Sequence, residues 1–106
     1  MKNTDVLKEL QKEVNDFGTK RNWQPFHSPK NISMALSVEA SELVEIFQWK
    51  TEEQSKHLSE EELERTKFEL ADIFMYTLLA CEKLNIDLED ATREKIQLNE
   101  TRFPKP

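Results

Sequence analysis

The chain has 106 residues, 34% charged and 37% hydrophobic, and its 21 acidic and 15 basic side chains leave a formal net charge of -6. That length allows one domain, read as residues 1–106, and an apolar share this thin points to an oligomer that shares core between subunits. Scattered basic residues exclude a phosphate-backbone footprint, so duplex nucleic acid is not expected as a ligand, and the lone cysteine, Cys81, excludes internal disulfides and thiolate zinc sites. No apolar run approaches the roughly 18 residues of a membrane span. Met1-Lys2-Asn3-Thr4-Asp5 does not open a signal peptide, and a cytoplasmic protein away from membranes is expected.

Gly18 is the only glycine, and the prolines stand at 25, 29, 104 and 106. Nothing interrupts the chain between Asn31 and Phe103, which favours long helices over strands and turns. The first helix is predicted from about Thr4 to Arg21, capped by Thr4 or Asp5, with Leu7, Leu10, Val14 and Phe17 at helical spacing. Asn22 to His27 reads as a loop carrying two aromatics and a histidine. Ser28-Pro29 opens a second helix that lasts to about Trp49. The stretch from Lys50 to Leu58 is polar. Ser59 with Glu62 forms a capping box for a third helix reaching about Leu84, and Asp87 caps a weaker fourth from Leu88 to about Thr101. The expected fold is all-α, of four-helix-bundle type.

On a helical wheel the second helix carries an apolar stripe of Ile32, Ala35, Leu36, Ala40, Leu43, Ile46 and Phe47. Glu39 falls inside that stripe, Glu42 lies at its edge, and Glu45 has rotated to the polar side. A carboxylate on a core-facing stripe is costly unless it is paired or coordinated. In the third helix, the run from Phe68 to Cys81 is apolar almost all the way round, and its only charges are Glu69 and Asp72. Such a helix is expected to be buried on most sides, in a bundle core or a subunit interface. Tyr76 continues the face of the two acids.

Two i, i+3 acidic pairs, Glu39/Glu42 and Glu69/Asp72, therefore sit on otherwise apolar faces. If the two helices pack antiparallel, four carboxylates converge on one point. An all-carboxylate site suits Mg²⁺, with Mn²⁺ as second choice. Di-iron bundles need Glu-x-x-His on two helices, and neither His27 nor His57 follows a Glu at that spacing. The plainer reading, a solvated helix face, suits Glu53, Glu60, Glu61, Glu64 and Glu82, and on periodicity alone it suits Glu45 as well. Trp23, Phe26 and Trp49 can be ordinary packing or can stack on a base. Cys81 reads as core.

These residues also carry a family resemblance. Glu39-x-x-Glu42, a spacer of 26 residues and Glu69-x-x-Asp72 resemble the MazG-like all-α nucleoside triphosphate pyrophosphohydrolases. The segments RNWQPFHSPKN, ALSVEASELVEIFQWK, ELADIFMYTLLAC and KIQLNETRFP occur in order and are similar to the dCTP pyrophosphatase branch. The resemblance implies a homodimer or homotetramer with sites at subunit interfaces, and Mg²⁺ on Glu39, Glu42, Glu69 and Asp72. It implies cleavage of a (deoxy)nucleoside triphosphate between the α and β phosphates, to the monophosphate and pyrophosphate, in the service of nucleotide-pool house-cleaning. By position, Trp23, Gln24, Pro25, Phe26, His27, Trp49 and Tyr76 would contact the nucleotide, and Lys95, Asn99 and Arg102 would reach phosphates from the neighbouring subunit. Glu42 or Glu45 would orient or deprotonate the attacking water. Val14 stands where dCTP-preferring relatives can carry histidine, so a dCTP preference does not transfer directly. The competing reading is a non-enzymatic acidic helical module that binds a partner through the apolar third helix. It leaves Glu39, Glu69 and Asp72 on apolar faces without a reason.

Overall fold

The structure is a computed structural model that describes residues 5–106. The predicted cap Thr4 lies outside the described residues. In chain order the elements are α1 (Val6–Lys20), a 3-10 turn (Gln24–Phe26), α2 (Pro29–Phe47), α3 (Glu52–Ser55), α4 (Glu60–Leu84) and α5 (Leu88–Arg102), with no strand among the described residues. The fold is all-α, as the unbroken glycine-free run from residue 31 to 103 requires. No described helix is long and apolar enough to cross a membrane.

Helix ends follow the local chemistry. Asp5 caps α1 by accepting from the Lys8 N–H, Ser28 caps α2 by accepting from Asn31 with Pro29 in the first turn, and Asp87 caps α5 by accepting from Asp90. Ser59 and Glu62 make the predicted capping box of α4, their side chains bonding each other's backbone N–H groups at 3.1 and 3.0 Å. A second capping box, Thr51 with Gln54, nucleates the one-turn α3 inside the stretch read from the sequence as a polar connection. The Thr-Glu-Glu-Gln spelling is the signal for it. Helix α2 stops at Phe47, short of Trp49, as the chain turns and the Lys50 N–H bonds the Phe47 carbonyl.

Two asparagines end helices in place of glycine. Asn22 (φ 60°) and Asn85 (φ 57°) adopt the left-handed conformation, which asparagine tolerates better than other side-chain-bearing residues. Behind them the Trp23 N–H bonds the Gly18 carbonyl and the Ile86 N–H bonds the Cys81 carbonyl, each at 2.9 Å. These are Schellman closures that fold the following residue back over the helix.

Helix α4 is the centre of the molecule, with α2 packed on one side and α1 on the other. Helix α2 runs antiparallel to α4: the Lys50 ammonium at its C-terminal end meets Glu62 at 2.7 Å near the start of α4, while Glu39, eleven residues back, meets Glu69 and Asp72 further along. On the other side, the Gln11 side-chain amide donates to the Leu78 carbonyl at 3.0 Å. The fully buried side chains are Ile32 and Leu78, each 1% exposed, joined by Ile46, Leu79 and Cys81. Burying a side chain of this size is worth roughly 1.5–3 kcal/mol.

The expectation that α4 is buried on most sides is not met within one chain. Phe68, Leu70, Phe74 and Met75 remain substantially exposed, because α1 and α2 cover only two sides of the helix. Helix α5 buries no residue at all.

Candidate functional site

The antiparallel α2–α4 pairing turns two sequence-distant acidic pairs into neighbours. Glu39, Glu69 and Asp72 each place a carboxylate oxygen within 4.8 Å of the other two. Each of the three is half-buried. Glu69 Oε1 is buried with no hydrogen-bond partner among the described residues. An orphaned carboxylate oxygen facing two further carboxylates is unfavourable by itself and is the expected state of a cation site before the cation arrives.

Electrostatics agree with the geometry. The Glu39 carboxyl is pushed up to about 7, first by the Glu69 carboxylate beside it, then by burial, then by the Glu42 charge and by Asp72. Glu42 is also raised, chiefly by the neighbouring Glu69 carboxylate and its charge, so it belongs to the same electrostatic group although it is not one of the three converging carboxylates. Like charges held together resist ionising, and a divalent cation removes that resistance. The donor set is all oxygen and contains no histidine, which suits a hard divalent cation.

Asp72 also lines a cleft of about 540 Å³ between α1 and α4, mostly apolar, with Phe17, Trp23, His27 and Tyr76 in its walls. Trp23 stands edge-on to Phe17 with ring centroids 5.7 Å apart, and edge-on to His27 at 6.3 Å. Burial, and secondarily the Lys83 charge, lowers the His27 value below its ordinary 6.5, so the ring is neutral at pH 7. Tyr76 is raised by burial and then by the Glu39 and Asp72 charges, which keeps its phenol protonated as a donor. The cleft therefore joins an aromatic box to an acidic corner.

Other sequence candidates lie elsewhere. Gln24, Pro25 and Phe26 form the 3-10 turn between Trp23 and His27, and Phe26 is 68% exposed. Asn31 anchors that turn by donating from its side chain to the Phe26 carbonyl at 3.1 Å. Trp49 is 88% exposed and borders a separate depression with Glu45, Lys50 and His57. Lys95, Asn99 and Arg102 are on α5, and none of them lines the cleft. Burial raises the Cys81 thiol, with a smaller push from Asp87, consistent with an inert core position.

Sequence reading missed Glu13, Met75 and Gly18 in the cleft wall, and took Leu10 and Phe17 only as a helix face; Val14, tied to base preference by the resemblance, does line the cleft. Helical spacing marks a face as apolar and is silent on whether the facing space is filled. The lone glycine was the one available signal for Gly18.

The model of the MazG-like family matches residues 34–105. The chain is 32% identical over 101 residues to dCTP pyrophosphatase 1 of Homo sapiens and 33% identical over 101 residues to that of Bos taurus, covering 93% of this chain in each case. It spans 59% and 60% of the length of those two curated relatives. The crystal structure of a pyrophosphatase from Archaeoglobus fulgidus superposes with a TM-score of 0.91 at 30% identity, covering 99% of this chain and 98% of that one. With the signature acids, the antiparallel helix pair and the family match in agreement, the chain belongs to the MazG-like family.

Proposed function

We propose that residues 1–106 act as a single catalytic domain that hydrolyses (deoxy)nucleoside triphosphates between the α and β phosphates, releasing the monophosphate and pyrophosphate. The observation that carries this reading is the buried, partnerless Glu69 Oε1 set among Glu39 and Asp72, at the edge of an aromatic-walled cleft. The names of the curated relatives and of the archaeal structure, dCTP pyrophosphatase 1 and a pyrophosphatase, support the same activity.

In this reading Glu39, Glu42, Glu69 and Asp72 hold Mg²⁺, with Mn²⁺ as the alternative. When bound, the ion supplies charge neutralisation at the phosphate oxygens and makes the α phosphorus more electrophilic. The chain carries a net charge of -6 and cannot neutralise a triphosphate with a basic patch. Glu42 stands beside the three converging carboxylates without being one of them, whereas Glu45 is exposed on the outer side. Glu42 is therefore the acid of the set least committed to the ion, and the one placed to orient the attacking water and accept its proton. The water oxygen bonds to the α phosphorus as the bond to the α–β bridging oxygen breaks, and pyrophosphate leaves with that electron pair. Trp23 and His27 would pack on the base and Tyr76 would donate to the sugar or phosphate, so that positioning carries much of the rate.

Trp49, Lys95, Asn99 and Arg102 lie off the cleft, and Phe68, Leu70, Ile96 and Leu98 are exposed. A homodimer or homotetramer resolves both facts at once: the apolar faces are covered and α5 of a second copy delivers its cations to the phosphates. Incubation of the protein and Mg²⁺ with the canonical nucleoside triphosphates and their deoxy counterparts, dCTP among them, followed by product analysis, tests the proposal. Monophosphate and pyrophosphate in equal amounts are expected. Orthophosphate in place of pyrophosphate, or no product and no thermal shift with Mg²⁺ and a non-hydrolysable analogue, overturns it in favour of a partner-binding module.

A further inference from the structure

Gly18 is the chain's only glycine, and it lies buried near the C-terminal end of α1. A glycine inside a helix costs stability relative to alanine, because it gives up more backbone freedom on folding. Its φ is not positive, so the backbone conformation supplies no reason for it. Space does. A Cβ at this position would lie 3.0 Å from His27 Cε1 and 3.4 Å from His27 Nδ1, closer than a carbon and an imidazole ring ordinarily approach. The Gly18 carbonyl also accepts the Trp23 N–H at 2.9 Å, so the closure that ends α1 returns the chain over this bare patch. The His27 ring rests on Gly18 with Trp23 edge-on beside it, and all three line the cleft that Asp72 and Tyr76 enter from α4.

We propose that Gly18 is a positioning residue for the base of the nucleotide: its missing side chain seats the His27 ring against α1 and thereby keeps that wall of the cleft open to a planar heterocycle. The proposal rests on the nucleotide-hydrolase reading above for the identity of the occupant, though not for the contact itself. A methyl group at 18 displaces His27 by a few tenths of an ångström toward the cleft, enough to disturb stacking and too little to disturb the carboxylates on α2 and α4. Base recognition and phosphate chemistry are thus separable in this fold.

The contact is read first without nucleotide, by carbon–proton NMR of the histidine rings in Gly18→Ala. The His27 Cε1–H resonance is expected to move while that of His57 stays in place, and a stationary His27 resonance overturns the proposal. Its consequence is read with dCTP and Mg²⁺. The Gly18→Ala enzyme is expected to show KM raised about three- to tenfold with kcat within about twofold, the pattern of lost uniform binding. Inhibition by inorganic tripolyphosphate, which has no base, is expected to be unchanged. In a His27→Ala background the same Gly18→Ala step is expected to leave KM where it was, since the ring it displaces is gone. A KM unaffected in the single variant, or raised equally in both backgrounds, overturns the proposal. A wild-type chain that releases no pyrophosphate sinks only the functional reading, and the His27 resonance then decides the positioning role alone.

Discussion

In α2 and α4, Ile32, Ile46, Leu78 and Leu79 are buried, whereas α5 carries Ile96 and Leu98 and hides neither. The acids divide in the same way. Glu39, Glu69 and Asp72 are held half-buried on the packed pair, while Glu89 on α5 pairs with Arg93 at the surface, at 3.0 Å. Packing thus pushes the Glu39 carboxyl up, whereas the Glu89–Arg93 pair is an exposed one that solvent screens. One helix pair brings the candidate ligands together within a single chain; the α5 candidates Lys95, Asn99 and Arg102 do not line the cleft.

The largest effect expected from breaking the packed pair is on turnover. Glu39→Gln, Glu69→Gln and Asp72→Asn are each expected to lower pyrophosphate release by roughly 10²–10³-fold, the scale for removing one preorganised charge-stabilising group. Helicity by circular dichroism should survive, and wild-type turnover in all three at saturating Mg²⁺ would place the chemistry elsewhere. Next comes Leu78→Ala, which opens a cavity in the buried centre of α4 beside α1 and is expected to cost about 2–5 kcal/mol in urea unfolding. A loss no larger than that of a surface change would mean the centre of the molecule lies elsewhere.

The third effect couples metal to pH. Glu39, raised to about 7 from an ordinary 4.5, favours the metal-free folded state fully below pH 4.5, and that contribution is lost as pH rises through 7. The melting temperature in a chelator should therefore fall across this window. Added Mg²⁺ should stabilise increasingly over the same window, because its ligands must lose their protons, reaching about 2.7 kcal/mol at a hundredfold excess over Kd. A Mg²⁺ shift independent of pH would separate Glu39 from the ion. The smallest effect belongs to α5. Leu98→Asp is expected to change the stability of the dilute chain by about 0.5 kcal/mol or less, as at an ordinary surface position. It should, however, lower the mass measured by light scattering at higher concentration. An unchanged mass would leave the apolar face of α5 without the role argued for it.

Much of this molecule was legible residue by residue. Asp5, Ser28, Ser59 and Asp87 were readable as caps because a cap is a contact between residues three apart. Glu39 and the Glu69/Asp72 pair stood out because a helical wheel exposes a charge on an apolar face. The α3 turn escaped notice although its capping-box spelling was present. The exposed side of α4 could not be read at all, since an apolar face looks the same whether a helix of the same chain covers it or not.

The sequence by itself determined the helices, their ends and the identity of the acids, all of which depend on neighbours within one or two turns. Only the tertiary structure decided that α2 runs antiparallel to α4, so that Glu39 meets Glu69 across some thirty intervening positions and an oxygen is left buried with no partner among the described residues. It also decided that Trp23 and His27 share a cleft with Asp72 while Trp49 does not, and that Gly18 is bare because a ring nine residues away lies on it. Distance along the chain carries no information about such meetings; they follow from which apolar faces find each other when the helices pack. The acidic composition that first looked like a burden on a small core becomes, through that packing, a candidate cation site.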